Sequence, residues 1–533
     1  MGLERSWFTH MEVDSSRGEV AHLTQHVSGT ESYTVFEIVS DRGMQVFTER
    51  DLDRFGNPLG KEAVQKLAQR TVEDLNLIHM NAKLTTRVIP DITLYAITNR
   101  GVLHAIDAET GRTLWVTAIG TERHPSEAAG TSDKYVAAVN GSQLSVLEKS
   151  TGKVVWQQKV VGAPGAGPVI SQRFVYVPMI SGQIEGYDLD APRQLPWVFQ
   201  SHGRAMTQPI YTGEHIAWTT DLGHLDVIEA DVNQVLYRFE TSKSVVSRPA
   251  RLGTDRVVVA SIDGYVHCLK EERGTIVWRF SSGEPVMQSP VAIDNRLYVI
   301  TEDGNLYALA GDTGLQQWQS AGMRQFVAAS KSRLYCVNEL GNLAVLDPAN
   351  GTQIGSLMTE SLDFFFANFQ TDRILIGTKS GKLQSLHETS LPWPVVHVGV
   401  LPEVKVKQPP KRKPAEAPKT EKPAVDNPFG AEAPAAKPPA AKPEMGGDDP
   451  FAAGASEPPA AADPAEKPAA AEGGEAKPAA AKSSDDPFGF RSTPASMPEK
   501  RSASPAPQSR KSTTPKGPAK KARAGKTNGK TKE

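Results

Sequence analysis

The sequence has little cysteine and no long apolar run, with two cysteines in 533 residues. Two cysteines exclude a disulfide-stabilised scaffold and any zinc site built on four cysteines or on two cysteines and two histidines. No apolar run approaches the roughly 20 residues that a membrane-spanning helix needs. The chain also lacks a nucleotide-binding glycine loop, the H-E-x-x-H motif and the G-x-S-x-G motif. The sequence therefore offers no familiar catalytic motif.

Large aromatic residues are scarce in the last quarter of the chain. Residues 401–533 hold 24 of the 39 prolines and four phenylalanines but no tryptophan or tyrosine, whereas all eight tryptophans and eleven tyrosines lie before them. A segment with so few large apolar groups cannot bury a core. We therefore predict a disordered tail over residues 391–533, preceded by folded structure.

Charge and short motifs divide this tail into zones. The formal charge is +4 over residues 401–413, −7 over 414–490 and +10 over 491–533. The basic end predicts binding of a polyanion such as nucleic acid without sequence readout. An acidic turn with one aromatic residue recurs three times. The repeats are either short linear motifs that bind a protein partner or the remains of a low-complexity repeat without a binding role. The candidate aromatic anchors are Phe429, Phe451 and Phe488.

The first residues lack the apolar core of a secretory signal peptide. They match the M-G-x-x-x-[ST] pattern of N-terminal acylation, which is short and frequent by chance. A start codon placed too far downstream, with a lost leader, is a second interpretation. The compartment is therefore open between the periplasm and the cytoplasm.

A repeat of about forty residues runs through the chain. A glycine after a short polar turn recurs at steps of 37 to 41 residues, between two β-rich runs. Asp263-Gly264 and Asp303-Gly304 are strong predictors of two-residue β-hairpins, because such turns need a positive φ. The eight turn glycines are Gly101, Gly141, Gly182, Gly223, Gly264, Gly304, Gly341 and Gly381.

A second turn follows about ten residues later and leads to an aromatic residue. Its best copy is Ala105–Trp115, and the seventh copy has Gly355 at the aromatic position. We expect each aromatic ring to pack between neighbouring sheets. The glycines of this turn are Gly111, Gly152, Gly274, Gly314 and Gly351, and the aromatic residues are Trp115, Trp156, Trp197, Tyr237, Trp278 and Trp318.

Proline marks four of the repeats a third time, at Pro168, Pro209, Pro249 and Pro290. Because proline cannot donate to a β-ladder, it belongs on an edge strand, and the innermost strand of a propeller blade is such an edge. The sequence thus predicts an all-β fold, an eight-bladed β-propeller with four-stranded antiparallel blades.

The last blade lacks an outer strand in the sequence that follows it. Counting back one repeat from Trp115 leads to residues 73–79. We therefore predict that these residues supply the missing outer strand of the last blade and close the ring. The predicted domains are a small α+β segment over residues 1–72, the propeller over 73–390 and the tail over 391–533. Within the first domain, residues 61–72 have the apolar spacing of a helix.

The Ala105–Trp115 copy resembles the PQQ-like β-propeller repeat, whose pattern is roughly A-x-D-x-x-T-G-x-x-x-W. The resemblance implies one of two branches. Quinoprotein dehydrogenases bind pyrroloquinoline quinone (PQQ) and calcium and usually carry an adjacent pair of cysteines, whereas Cys268 and Cys336 fall in different predicted blades. Propellers similar to outer-membrane protein assembly factor B are non-catalytic, have eight blades and bind protein partners through loops and the funnel face.

We therefore expect a monomeric, non-catalytic interaction scaffold of the bacterial cell envelope, without bound PQQ or calcium. The alternatives are a PQQ-dependent oxidoreductase and a nucleic-acid-associated protein that acts through its tail. His202, Arg204 and Arg324 fall in loops that enter innermost strands. They are candidate contacts at the mouth of the central channel, and solvated loop charges are the alternative.

Overall fold

Eight antiparallel sheets make up the computed structural model, which describes residues 2–13, 17–41, 43–359 and 361–397. Seven sheets have four strands and one has five. The predicted all-β, eight-bladed propeller is confirmed. The predicted disordered tail from residue 398 onward, with its three phenylalanine anchors, lies outside the described residues.

Blades two to seven each use four consecutive strands. The second and third strands are nearly continuous apolar runs, such as VVVA at 257–260, because blades pack on both of their faces. The outer strands alternate between exposed and half-buried residues, because only one of their faces meets a neighbouring blade.

The strands of these six blades are β7 (Gly130–Thr131), β8 (Tyr135–Asn140), β9 (Gln143–Glu148), β10 (Val154–Lys159), β11 (Val169–Ile170), β12 (Phe174–Pro178), β13 (Gln183–Asp188), β14 (Trp197–Gln200), β15 (Ile210–Tyr211), β16 (His215–Thr219), β17 (His224–Glu229), β18 (Gln234–Glu240), β19 (Ala250–Leu252), β20 (Arg256–Ala260), β21 (Tyr265–Lys270), β22 (Ile276–Ser281), β23 (Val291–Ile293), β24 (Arg296–Ile300), β25 (Leu306–Ala310), β26 (Gln316–Ser320), β27 (Met323–Ala329), β28 (Leu334–Asn338), β29 (Leu343–Leu346) and β30 (Gln353–Leu357).

Blade one carries an insertion between its first two strands. Beyond the blade, the paired strands β2 and β4 continue as a long hairpin, to which β3 and α1 are added. The helix buries Val64, Ala68 and Leu75 against Phe36 and Ile38 of β2. The predicted α+β segment over residues 1–72 is not one separate unit. The strand Leu3–His10 belongs to blade eight and the first part of β2 to blade one, and only the residues from the rest of β2 to the first part of β4 form the insertion. Its elements and the rest of blade one are β2 (Val20–Ser40), β3 (Gly43–Thr48), α1 (Lys61–Leu77), β4 (Lys83–Thr98), β5 (Val102–Asp107) and β6 (Thr113–Ala118).

The N-terminal strand closes the ring. β1 (Leu3–His10) pairs with β33 (Lys382–Glu388), outside β32 (Ile374–Gly377) and β31 (Phe364–Phe365). The prediction of a closing strand at residues 73–79 is wrong, because most of that segment belongs to α1. The spacing of about forty residues holds only where no insertion interrupts a blade. In blade one the insertion lengthens the spacing, so the aromatic residue before Trp115 is Trp7.

At five blade junctions, an aromatic residue at the edge of one blade docks on the turn of the next blade. The Trp7 indole N–H donates to the Ala108 carbonyl at 2.8 Å, and the Trp115 indole donates to Lys149 at 2.8 Å. The rings lie so close to Gly111 and Gly152 that a Cβ atom at either glycine would overlap them. Three further blade pairs show the same ring-on-glycine packing: Tyr237 on Gly274, Trp278 on Gly314, and Trp318 on Gly351.

Buried carboxylates form a second tie between blades. The Ser171 hydroxyl donates to Asp231 of the next blade at 2.6 Å, and the Ser330 hydroxyl donates to Glu388 at 2.5 Å. Glu271 accepts in the same way from Thr212. Hydrogen bonds of this kind satisfy the buried carboxylates, which would otherwise be costly to desolvate.

Residues 391–397 belong to the folded part of the chain and not to the tail that the sequence predicts from residue 391, because they are hydrogen-bonded to the propeller and to the insertion. The His397 backbone N–H donates to the Gln370 carbonyl at 2.9 Å. Trp393 packs on Tyr33, Val35 and Ile89, and its indole N–H donates to the Glu37 carboxylate. Within the described part of the chain, no helix has the length and apolarity to span a membrane.

Candidate functional site

The propeller presents two different surfaces, which we name by their connections. The loop face is formed by the hairpins between second and third strands, such as 220–223, and by the connections between blades, such as 201–207. The turn face is formed by the turns between first and second strands and between third and fourth strands, such as 132–134 and 149–153. The insertion emerges on the turn face, because it replaces the first turn of blade one.

The loop face is fixed by repeated backbone hydrogen bonds. A hairpin residue donates to the preceding inter-blade connection, as from Asp221 to Arg204 at 2.9 Å and from Ile180 to Ala163 at 2.8 Å. Large apolar side chains nevertheless point outward from this face. The exposed ones are Val161, Ile180, Met206, Leu222, Met287, Leu340 and Met358. Such a surface suits contact with another protein, since it is both apolar and preorganised.

The three basic candidates from the sequence lie on the loop face, His202 and Arg204 in one connection and Arg324 in another part of the ring. Arg204 is bound to Asp221, through its backbone N–H at 2.7 Å and its Nε at 2.8 Å. The His202 ring stands edge-on to His224, with 4.8 Å between ring centroids. Arg324 lies in another connection, at the start of β27. None of these three residues lines the central cavity of the described structure.

A cavity of about 790 Å³ lies along the innermost strands and reaches the turn face. Its wall comes from the innermost strands or the turns beside them in blades one to five and eight. Asp133 supplies a carboxylate, which accepts hydrogen bonds from His26 at 3.1 Å and Ser28 at 2.8 Å. Burial alone would raise the pKa of Asp133, but these hydrogen bonds hold it well below its usual range.

Arg248 also lines this cavity, and the sequence analysis missed it. It directly precedes Pro249 on the innermost edge of blade five, where Gly167, Gln208 and Ser289 precede the other repeat prolines. Of the four residues that precede a repeat proline, only Arg248 is charged, and a comparison of these positions in the sequence would have shown this.

A buried ion pair joins blades one and eight. The Glu109 carboxylate lies 3.6 Å from Arg373, whose side chain is 3% exposed and also donates to the carbonyls of Leu391 and Pro392. The Glu109 Oε1 atom is buried without a hydrogen-bond partner. Burial raises the pKa of Glu109 to about 7, although the attraction of Arg373 works in the opposite direction.

This raised pKa gives a testable pH dependence of stability. The folded state retains the Glu109 proton between the ordinary value of 4.5 and about 7, so the free energy of unfolding should fall as pH rises through that window. Glu109→Gln should remove this decline and raise the free energy of unfolding by about 2 kcal/mol at pH 8, with little change at pH 4. Thermal midpoints between pH 4 and 8 measure the effect. The matched control is Glu62→Gln on the exposed first turn of α1, and equal pH profiles for both variants would contradict the assignment.

The two cysteines lie apart, as predicted. Cys268 lies on the third strand of blade five and Cys336 on the second strand of blade seven, and both are buried free thiols. Burial raises the pKa of Cys268 to about 12 and also raises that of Cys336. Thiols held protonated in this way are poor nucleophiles and behave as small apolar residues.

Comparison with known proteins identifies the repeats. The family profile described as outer membrane protein assembly factor BamB matches residues 99–229 and 212–363. BamB of Yersinia pestis is 21% identical over 319 residues, which cover 54% of this chain and 80% of that protein. BamB of Shewanella oneidensis is 25% identical over 244 residues, which cover 42% of this chain and 60% of that protein.

Two further matches have a low structural similarity or cover only a short part of the chain. The crystal structure of BamB from Moraxella catarrhalis aligns with a TM-score of 0.46 at 15% identity, covering 55% of this chain and 91% of that one. The Beta-alanine-activating enzyme of Danio rerio is 30% identical over 83 residues, which are 14% of this chain and 7% of that enzyme.

The fold and its repeats define a β-propeller of PQQ-like repeats. Within that class, this chain is a BamB-like propeller protein.

Proposed function

We propose that this chain is a non-catalytic scaffold that serves outer-membrane protein assembly in a bacterial cell envelope, and that it binds a protein partner as a monomer through the loop face. The main observation in support of this proposal is the set of seven apolar side chains that are exposed on that face. Exposed apolar groups gain free energy when a partner covers them, and the bonded loops lose little entropy on binding. The name of the relatives, outer membrane protein assembly factor, supports the same role.

Our proposal includes the absence of PQQ and calcium. Calcium requires six to eight oxygen ligands, whereas the one carboxylate on the cavity wall, Asp133, already accepts hydrogen bonds from His26, Ser28 and Gly29. Among the described residues, no group of three or more histidine, cysteine, aspartate or glutamate side chains could hold a metal ion. The residues that line this cavity therefore do not fit the quinone–calcium pair, and they support a scaffold over an oxidoreductase.

The test is complementation in the organism that encodes the chain. Loss of the chain should lower the folded fraction of outer-membrane β-barrel proteins several-fold, as measured by heat-modifiable gel mobility. The wild-type chain should restore it. A Leu222→Asp, Leu340→Asp double variant should not, because two carboxylates would have to be desolvated at the interface.

The matched control places the same charge on the turn face. Leu195 is 95% exposed and lies in the turn before β14, so Leu195→Asp should complement fully. All three chains should show equal thermal midpoints. Normal β-barrel folding without the chain would refute the assembly role, and full complementation by the double variant would refute the loop face as the contact.

A further inference from the structure

Arg248 is a half-buried cation without a counter-ion among the described residues. Its Nη2 donates to the Pro209 carbonyl at 3.2 Å, and its Nε is buried with no acceptor. No carboxylate of the described chain forms an ion pair with it. Burial also lowers the pKa of Arg248 to about 10, in keeping with surroundings that disfavour the charge. A bound anion would offset this cost.

No carboxylate on the cavity wall is free to act as the counter-ion of Arg248. Asp133, its carboxylate, is held by His26, Ser28 and the Gly29 N–H. Lys134 adds a second positive charge on the wall. The cavity is therefore electropositive, and it favours a ligand with negative charge.

The rest of the wall combines apolar side chains with uncharged polar ones, such as Gln208 and Asn368, and offers backbone groups. Val169, Ile170, Tyr211, Phe366 and Phe369 line it. The innermost strands β11 and β15 pair on one side only, so their other edge faces the channel. The Gln370 Oε1 atom, also on the wall, has no donor. An extended peptide can use the cation, the apolar wall and the strand edges together, whereas a small anion can use only the cation.

We propose that this cavity binds a short acidic peptide segment in which an aromatic side chain follows the carboxylates. A carboxylate would pair with the Arg248 guanidinium, and the aromatic ring would pack on Phe366 and Phe369. The site is on the turn-face side of the channel, so it is separate from the loop face and does not depend on the proposed assembly role.

The test measures fluorescence anisotropy of a labelled octapeptide with the full-length protein. The probe is Ser-Ser-Asp-Asp-Pro-Phe-Gly-Phe, the sequence of residues 483–490, which has the required chemistry. Because the chain carries three such motifs, the protein used has Phe429→Ala, Phe451→Ala, Phe488→Ala and Phe490→Ala, so that its own motifs do not compete. Saturable binding is expected. Arg248→Gln should weaken it at least about tenfold, because a buried charge pair is lost.

Matched controls separate a specific site from general charge. Arg273→Gln, an exposed arginine of the same blade, should bind as the parent does. Peptides with both aspartates changed to asparagine, or both phenylalanines changed to alanine, should each bind at least about tenfold more weakly. Phe369→Ala provides a second cavity variant should Arg248→Gln fail to fold, and it should weaken binding several-fold.

Several outcomes would overturn the proposal. They are binding that does not saturate, equal affinity for the parent and Arg248→Gln, and equal affinity for the acidic and amidated peptides. Displacement of the probe by benzoate at the concentration at which unlabelled peptide displaces it would show a small-anion site instead.

Discussion

Replacing Trp7 with alanine should lower the free energy of unfolding by about 3–5 kcal/mol, the range for a buried aromatic residue. Trp7 is 7% exposed and packs with Leu383 and Ala108 at the junction of blades eight and one. The variant would lose this packing and leave the Ala108 carbonyl without its indole donor. The weakened β1 would also expose the edge of β33.

Phe8→Ala is the matched control for this prediction. Phe8 lies next to Trp7 on β1, but it is 68% exposed on the other face of the strand. Its replacement should change the free energy of unfolding by less than about 1 kcal/mol. Denaturant titrations followed by circular dichroism compare the two variants. Equal destabilisation would mean that β1 contributes only its backbone pairing, and no destabilisation by Trp7→Ala would refute closure through this strand.

Replacing Gly152 with alanine should cost about 2–5 kcal/mol, because strain and overlap add. Gly152 has φ of 67°, a conformation that costs an L-residue roughly 1–2 kcal/mol. The new Cβ would also overlap the Trp115 ring. The ring cannot move without breaking its hydrogen bond to Lys149, and overpacking of this kind typically costs about 1–3 kcal/mol.

Gly253→Ala isolates the backbone part of this cost. Gly253 has nearly the same φ, 66°, but nothing lies within 4 Å of the position of its Cβ. Its replacement should cost only the strain, about 1–2 kcal/mol. The difference in unfolding free energy between the two variants measures the docking of the tryptophan. If both variants lose the same stability, the ring moves aside freely and the docking is weak.

Much of the fold could be predicted because local turn chemistry repeats along the chain. Glycines such as Gly264 and Gly304 adopt positive φ at hairpins, which marks each blade in the sequence. The closing strand could not be found by the same reasoning. Its pairing with β33 joins residues nearly 380 positions apart, and the insertion breaks the repeat step before blade one.

The candidate site was predicted less well than the fold. Arg204 was visible as a loop charge, but its bond to Asp221 depends on how the connection folds onto the next hairpin. Arg248 was overlooked because its importance lies in a missing partner, which only the packing of five other blades around the channel reveals. The exposed apolar residues of the loop face, such as Leu222, resemble core residues until burial is known.

Closure by the first strand also constrains how the protein is made. The ribosome completes β1 near the start of translation, but its partner β33 is finished only at residue 388. At roughly 5–20 residues per second, this interval is on the order of tens of seconds. During that time the nascent chain carries a strand with Trp7 and Met11 uncovered, together with a growing, open sheet stack. We therefore expect the ring to close only once β33 has been synthesised, and the nascent chain to depend on chaperones that shield β1 until then.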